Sequence, residues 1–344
     1  MSQFNDITRP GVPVRADPSR KLPPVNDWHE LSGKINYSLC NDYLFRALLQ
    51  TDPEALNYLI SCLLELPLDT LSVVIQNPIE LGAEISDKDY VLDLKVLVNN
   101  EILCNVEMQV WNQSYWAPRS LAYLCKTFAD QFSYGGKFVH PMPAIHVGIL
   151  SFSFPNVDKF YSHFFMMEKD SHAVYSSLLQ INVLSLLHLD KATTADRSSG
   201  LYTWARFFRA GTWEELKMLE EKDARIGTAV NTVFRLMCDD KVRMQMEARE
   251  DFYRIMDSYK EELVEQRSKI EEQGTKIEEQ STKIEEQSTK IEEQGTMIEE
   301  QNTMIEEQST KIEKQSRDLA AANNQIKEKD RLIAELQAAL SKMK

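Results

Sequence analysis

The segment VLDLKVLVNNEILCNVEMQVW, residues 91–111, holds the side chains best placed to do chemistry. It reads as two alternating, β-branched strands joined near Asn99-Asn100-Glu101. A two-residue loop would set Asp93 opposite Val106 and mix polar with apolar residues on both faces, since a one-residue slip turns every side chain over. A three-residue loop pairs 93 with 107, 91 with 109 and 95 with 105. Asp93, Lys95, Asn105, Glu107 and Gln109 then share one face, and Leu92, Leu94, Val96, Cys104, Val106, Met108 and Val110 the other. Two carboxylates facing each other at about 5 Å repel unless a cation lies between them. A divalent ion answers that repulsion: Mg²⁺, or Mn²⁺ in its place, takes a few carboxylate oxygens, keeps waters, and generates a nucleophilic hydroxide while stabilising charge on phosphorus. Gln109 points the same way and can orient the attacking water or a phosphate oxygen. On spacing alone, a solvent-facing ion pair of Asp93, Lys95 and Glu107 on an amphipathic sheet is the commoner arrangement.

The elements around this hairpin are legible from pattern. Helices are expected at 37–50 and 53–65, with Asp52-Pro53 as a start signal. Strands are expected at 71–76, 90–98, 102–111 and 144–154. Between the last two, residues 116–134 place Leu121, Leu124, Cys125, Phe128 and Phe132 at helical spacing, with Gly135-Gly136 as a stop. The apolar runs 159–167 and 178–189 extend the sheet, 192–200 reads as a polar linker, and helices dominate from 201 to 262.

From Lys269 the chain repeats itself as KIEEQGT, KIEEQST, KIEEQST, KIEEQGT, MIEEQNT, MIEEQST and KIEKQSR. Ile270, Ile277, Ile284, Ile291, Ile298, Ile305 and Ile312 recur at every seventh position, and Leu319, Ile326, Ile333 and Leu340 continue the frame. With these as a positions, d is Gln from 273 to 315. Ile at a favours a parallel multistranded coil, whereas Gln at d and the helix-weakening Gly274 and Gly295 oppose it. A homo-oligomer through a coiled-coil stalk, on the order of 110 Å long at 1.5 Å per residue, stands beside the alternative of a solvated single helix.

The order helix, strand, Asp-bearing strand, E-x-Q strand, helix, strand resembles the PD-(D/E)XK nuclease fold, and in particular its family of recombination-promoting nucleases and transposases. NDYLFRALL at 41–49, NPIEL at 77–81, DKDYVLDLKV at 87–96, NVEMQ at 105–109, RSLAYLCKTFADQFSYGGKF at 119–138 and QINVLSLLHLDK at 180–191 look like that family's successive motifs. The resemblance runs from about 36 to 260. It implies an α/β, restriction-endonuclease-like mixed sheet flanked by helices and followed by a helical region, with a nuclease-like domain at 36–195 and a helical extension at 196–262. Outside it lie an N-terminus whose Pro and Arg content reads as a flexible arm, 1–35, and the long C-terminal coiled-coil-like heptad helix, a stalk at 263–344. Residue by residue, it makes Asp93 and Glu107 the metal ligands, with Mg²⁺ or Mn²⁺ as cofactor, and DNA the partner. Gln109 occupies the place where many relatives of the wider fold carry Lys, so chemistry leans more on the metal. Asp42 is an outer-shell candidate, and Lys95 and Arg119 are candidates for DNA-phosphate contacts.

Composition bounds these readings. The chain has 344 residues and 39 Lys+Arg against 53 Asp+Glu, a net charge of −14. Non-specific coating of nucleic acid is thereby disfavoured, so Lys95, Arg119, Lys126 and Lys137 must concentrate positive charge around any cleft. Five widely spaced cysteines without a C-x-x-C pair, and an N-terminus lacking an apolar signal segment, fit a cytoplasmic protein. No apolar run reaches the length of a membrane span. Phosphate-loop, dinucleotide and nucleophile-elbow motifs are absent, and the scattered histidines are expected at the surface or as satisfied core residues rather than in a zinc site. Two functions remain: a metal-dependent DNA endonuclease promoting recombination or transposition, and an inactive nuclease-fold scaffold that acts as an interaction protein through its heptads.

Overall fold

Local signals start most of the helices. The computed structural model describes residues 15–79, 81, 93–110, 115–132, 139–154 and 157–342. Helix α1, Asp42–Thr51, begins where the Asn41 side chain accepts the Leu44 N–H at 3.1 Å. Helix α2, Pro53–Leu64, begins at Asp52, whose carboxylate accepts the Ala55 N–H at 2.9 Å, with Pro53 in the position where a missing N–H costs nothing.

The strands are β1 Val73–Ile75, β2 Leu94–Val98, β3 Ile102–Gln109, β4 Ala144–Leu150, β5 Tyr161–Met167 and β6 Val174–Ser185. Among the described residues they form one mixed sheet in the order β1-β2-β3-β4-β6-β5. The pairs β3–β4 and β4–β6 are parallel and the others antiparallel. Helix α3, Trp116–Ala129, supplies the crossover that a parallel β3–β4 pair requires. Residues 90–92 of the expected second strand and the Gly135-Gly136 stop lie outside the described residues.

The two faces of the sheet bury different chemistry. Leu94, Val96, Val98, Cys104, Val106, Met108, Val147 and Ile149 join α1 and α2 in the main core. So do α5 Leu201–Arg209, α6 Trp213–Lys222 and α7 Arg225–Cys238, through Trp204, Phe207, Phe208, Trp213, Leu216 and Val230. These helices therefore share one core with the sheet rather than extending a finished domain. The second face packs a smaller cluster of Trp116, Leu150, Phe152 and Val183 under α3.

Three expectations need correction. The arm was placed at 1–35, but Leu22, Trp28, Leu31 and Ile35 are buried in the main core. The Pro and Arg content there reads as an arm, but spaced apolar anchors suffice to dock the chain. Residues 192–200 contain a short helix, α4 Thr194–Ser198, started by a reciprocal Thr193–Asp196 cap. On α3 the expected apolar stripe is inward only in part: Leu124 is buried, with Trp116 and Ser120, and Phe128 and Phe132 are half-buried, but Leu121, 52% exposed, and Cys125 face outward. The helix is rotated because it covers a polar sheet face, so its inward stripe is not its most apolar one.

The chain divides into two compact units, one through Tyr259 and one from Lys260. Helix α8 is Asp240–Lys342, and in its first turns Val242 and Met246 belong to the main core. In the second unit every described side chain is exposed, the a-position isoleucines included. Glu265–Lys269 and Glu272–Lys276 pairs at 2.7 Å support the helix locally. No described helix is long and apolar enough to cross a membrane, and all five cysteines are free thiols.

Gly148 on β4 is where sheet and α3 meet most closely. A Cβ there would lie 2.3 Å from Trp116 Cζ2, a contact that real side chains do not make. Gly148→Ala should therefore destabilise the globular unit by about 1–3 kcal/mol, read as a lower urea midpoint with unchanged slope.

Candidate active site

The hairpin adopts the three-residue loop that patterning required. Val98 pairs with Ile102, Val96 with Cys104, Lys95 with Asn105 and Leu94 with Val106. Asn99 and Asn100 turn the chain with φ of 51° and 56°, a left-handed conformation that Asn tolerates better than most residues. Asn99 is tied to the neighbouring strand, its N–H donating to Ser72 O and its Oδ1 accepting from Ser72 N, both at 2.8 Å. Continuing the register one residue beyond β2 sets Asp93 across from Glu107.

This polar face is roofed over rather than solvent-facing. Asp93, Glu107 and Gln109 are only 4%, 6% and 7% exposed, and Asn105 is buried beside them. The surface-pair alternative therefore does not describe the site. Both Asp93 carboxylate oxygens and Glu107 Oε2 are buried without a hydrogen-bond partner. Such orphaned acceptors are costly, and native proteins leave them where something else is meant to bind. The backbone of Asp93 is by contrast held firmly. Arg46, fully buried on α1, donates through Nη1 to Asp93 O at 2.9 Å and to Asn77 Oδ1 at 3.2 Å, and through Nη2 to Asn77 O. Asn77 Nδ2 adds a bond to Asp93 O at 3.0 Å, and its Oδ1 accepts the Lys95 N–H at 2.9 Å. Burial pulls the Arg46 guanidinium down to about 10, against the opposing effect of the Asp93 charge.

Arg119, in the first turn of α3, bridges Glu107 and Gln109 of β3. Its Nη2 pairs with Glu107 Oε1 and donates to Gln109 Oε1 at 2.8 Å. A fixed positive charge thus stands beside Gln109. Lys95 is half-buried on the same face. Lys126 forms an exposed pair with Asp130 at 2.9 Å, and Lys137 lies outside the described residues. On β4, His146 is the register partner of Asn105. Asn105 Nδ2 lies 3.1 Å from His146 Nδ1, and His146 Nε2 lies 3.6 Å from Glu107 Oε2. The ring is fully buried, which pushes it down to about 4; nearby Asp93 pulls upward and Arg119 downward. His146 is thus a core histidine, as expected of the scattered histidines, but its Nε2 is unsatisfied.

Asp42 is committed elsewhere. Its Oδ1 accepts from Arg249 Nε at 2.9 Å, and its Oδ2 from Arg249 Nη2 and from Tyr253 Oη, the latter at 2.6 Å. That ion pair ties α1 to the first turns of α8 and replaces the outer-shell role expected for Asp42.

Among the described residues, no group of three or more His, Cys, Asp or Glu side chains is arranged to hold a metal ion. Two carboxylates with three orphaned oxygens nonetheless fit a hard divalent ion that keeps much of its water shell. Sequence reasoning singled out Asp93, Glu107, Gln109 and Arg119 and set Asn105 on the same face without giving it a role, but missed Arg46, Asn77 and His146. Arg46, Asn77 and Asn105 sit inside the motifs NDYLFRALL, NPIEL and NVEMQ, so the signal was present as type and place without a partner to interpret it.

A mixed six-stranded sheet flanked by helices, with a buried Asp at one strand's start and E-x-Q on the next, is the restriction-endonuclease-like arrangement. The family described as PD-(D/E)XK nuclease family transposase matches residues 39–263, more than half of the chain, and the chain belongs to that family. No curated protein and no solved structure matches it.

Two carboxylates of similar burial should respond oppositely to neutralisation. Asp93→Asn relieves an uncompensated charge and should raise stability by about 1 kcal/mol or more. Asp42→Ala removes the carboxylate that pairs with the largely buried Arg249 and should cost about 1–3 kcal/mol. Urea unfolding of the two variants checks both signs.

Proposed function

We propose that the chain is a divalent-metal-dependent DNA endonuclease that hydrolyses phosphodiester bonds in the course of recombination or transposition. The observation that carries this reading is the buried, unpartnered carboxylate pair of Asp93 and Glu107 beside a fixed arginine. Family membership supports a nuclease-like or transposase-like activity. Asp93 and Glu107 are the proposed ligands of Mg²⁺, or of Mn²⁺ in its place. When bound, such an ion supplies a nucleophilic hydroxide at neutral pH and Lewis-acid stabilisation of charge on the phosphate.

The protein's own groups do the rest. Gln109 is neutral and can orient a water or a phosphate oxygen but cannot offset charge. Arg119, bonded to Gln109 Oε1, brings the charge that a Lys supplies in much of the wider fold. Its planar fork suits two oxygens at once, so it can hold Glu107 and Gln109 in place, and it is the first proposed contact to a DNA phosphate. Lys95 is the second proposed phosphate contact. The chain's net acidity is partly carried by the EE pairs of the heptads, outside the matched family region over most of their length. The heptad segment, 263–344, is proposed to assemble copies of the chain in the cytoplasm through its a-position isoleucines, which are exposed in the single chain.

Purified protein should nick or linearise supercoiled plasmid at low salt with Mg²⁺ or Mn²⁺, and should fail with EDTA. Glu107→Ala should abolish cleavage, and Arg119→Ala should lower kcat by about 10²–10³-fold. Wild type that is inert with every metal, on both single- and double-stranded DNA, would overturn the enzyme reading in favour of the scaffold. Assembly is checked by sedimentation of the full chain and of a chain lacking 263–344. A monomer in both at micromolar concentration would refute it.

A further inference from the structure

His146 takes no part in the function proposed above, yet it is the histidine most deeply set into the site. Its place is dictated by the sheet: parallel pairing puts His146 beside Asn105 and Gly148 beside Glu107, so the imidazole and the Glu107 carboxylate occupy the same face two residues apart along the strand. Gly148 lets the Trp116 indole settle onto the strand, with its ring centroid 6.1 Å from that of His146, and Tyr123 closes a second side at 6.4 Å. The ring therefore has no exposure to water.

The two polar neighbours of the imidazole favour the same tautomer. Nε2 faces Glu107 Oε2 at 3.6 Å. Carboxylate oxygens only accept, so a lone pair on Nε2 would face them repulsively and an N–H would not. With the proton on Nε2, Nδ1 must accept, and the Asn105 amide nitrogen is in place at 3.1 Å to donate to it. Both contacts thus call for the same tautomer. At 3.6 Å the Nε2–H to Glu107 bond is longer than a formed hydrogen bond, and both atoms lack partners. Catalytic contacts often stay long until the site is loaded.

We propose that His146 is a positioning residue that donates its Nε2–H to Glu107 Oε2, with its tautomer set by Asn105, and so holds Glu107 in the orientation that binds the divalent ion. The proposal rests on the reading of Asp93 and Glu107 as metal ligands. Glu107 is then gripped at both oxygens, by Arg119 at Oε1 and by His146 at Oε2, while each keeps a lone pair for other use. Partners of this outer kind typically change metal affinity by about 10–100-fold.

The test uses the full chain and two readouts that need no DNA cleavage. Two-bond ¹⁵N–¹H spectra of histidine-labelled wild type, assigned by the signals lost in His146→Gln, should show the Nε2–H tautomer at neutral pH. Titration with Mn²⁺ alone by calorimetry should show His146→Leu binding about 10–100-fold more weakly than wild type, with His146→Gln, which retains an N–H donor, recovering most of the loss. An Nδ1–H tautomer or an imidazolium overturns the proposal, as does a folded His146→Leu that binds Mn²⁺ like wild type. The tautomer readout stands even where the leucine variant fails to fold. Asp93→Asn and Glu107→Gln separate this inference from the one beneath it. If they bind Mn²⁺ as wild type does, the metal-site reading fails and His146 falls with it. If they lose Mn²⁺ while His146→Leu keeps it, only the positioning role is lost.

Discussion

Two carboxylates set across one rung of a β-hairpin, in a space with almost no water, are the constraint around which this globular unit is arranged. In water at such a separation their repulsion is on the order of 1 kcal/mol, and it grows severalfold where the effective dielectric falls. Arg119 offsets one of the charges by pairing with Glu107. Asp93 has no such hydrogen-bonded partner; it is held through its backbone by Arg46 and Asn77, and its oxygens stay unsatisfied. The site therefore keeps unsatisfied carboxylate oxygens in a rigid frame, which is the condition for capturing a cation without rearranging the chain.

The layers on the two sides of the sheet follow from this. One face is apolar and joins a large helical core that begins with α1 and α2, so it can supply most of the hydrophobic stabilisation. The other carries Asp93, Asn105, Glu107, Gln109 and His146, and must be covered by a helix that is itself partly polar. Helix α3 meets that demand by turning Trp116, Ser120 and Leu124 inward, with Arg119 reaching Glu107 and Gln109, while Leu121 is left outside. Gly148 is the geometric partner of that arrangement, because any Cβ there would displace the Trp116 ring that seals the site. The large apolar core thus lies on one side of the sheet and the buried polar cluster on the other.

The heptad region obeys different physics. Its helix is supported by contacts within single turns, such as Glu272 with Lys276, and needs no distant part of the chain. A strict seven-residue period drifts on a straight helix of 3.6 residues per turn, so the isoleucine series stays on one side only if helices wind around each other. That physical tension, together with the exposure of every isoleucine in the series, is the basis for proposing assembly there.

Hairpin register, strand identity, the heptad frame and the pairing of Asp93 with Glu107 were legible in the sequence, because each follows from a short-range period or from the facing of neighbouring strands. The fold class was legible too, through motifs in a fixed order that match the family over 39–263. Which side of α3 turns inward, whether residues before 36 are docked, and what holds each acidic group depend on atoms far apart in the chain. Asp42 and Asp93 show the difference most clearly. Both are acids near an element's start, yet one is closed off by Arg249 from 207 residues away and the other is left open. Sequence determined which residues could face each other across a strand pair or along a helix. Only tertiary structure decided which of those charges would be neutralised, since a buried carboxylate's partner is selected by three-dimensional proximity and desolvation, and neither is encoded in local spacing.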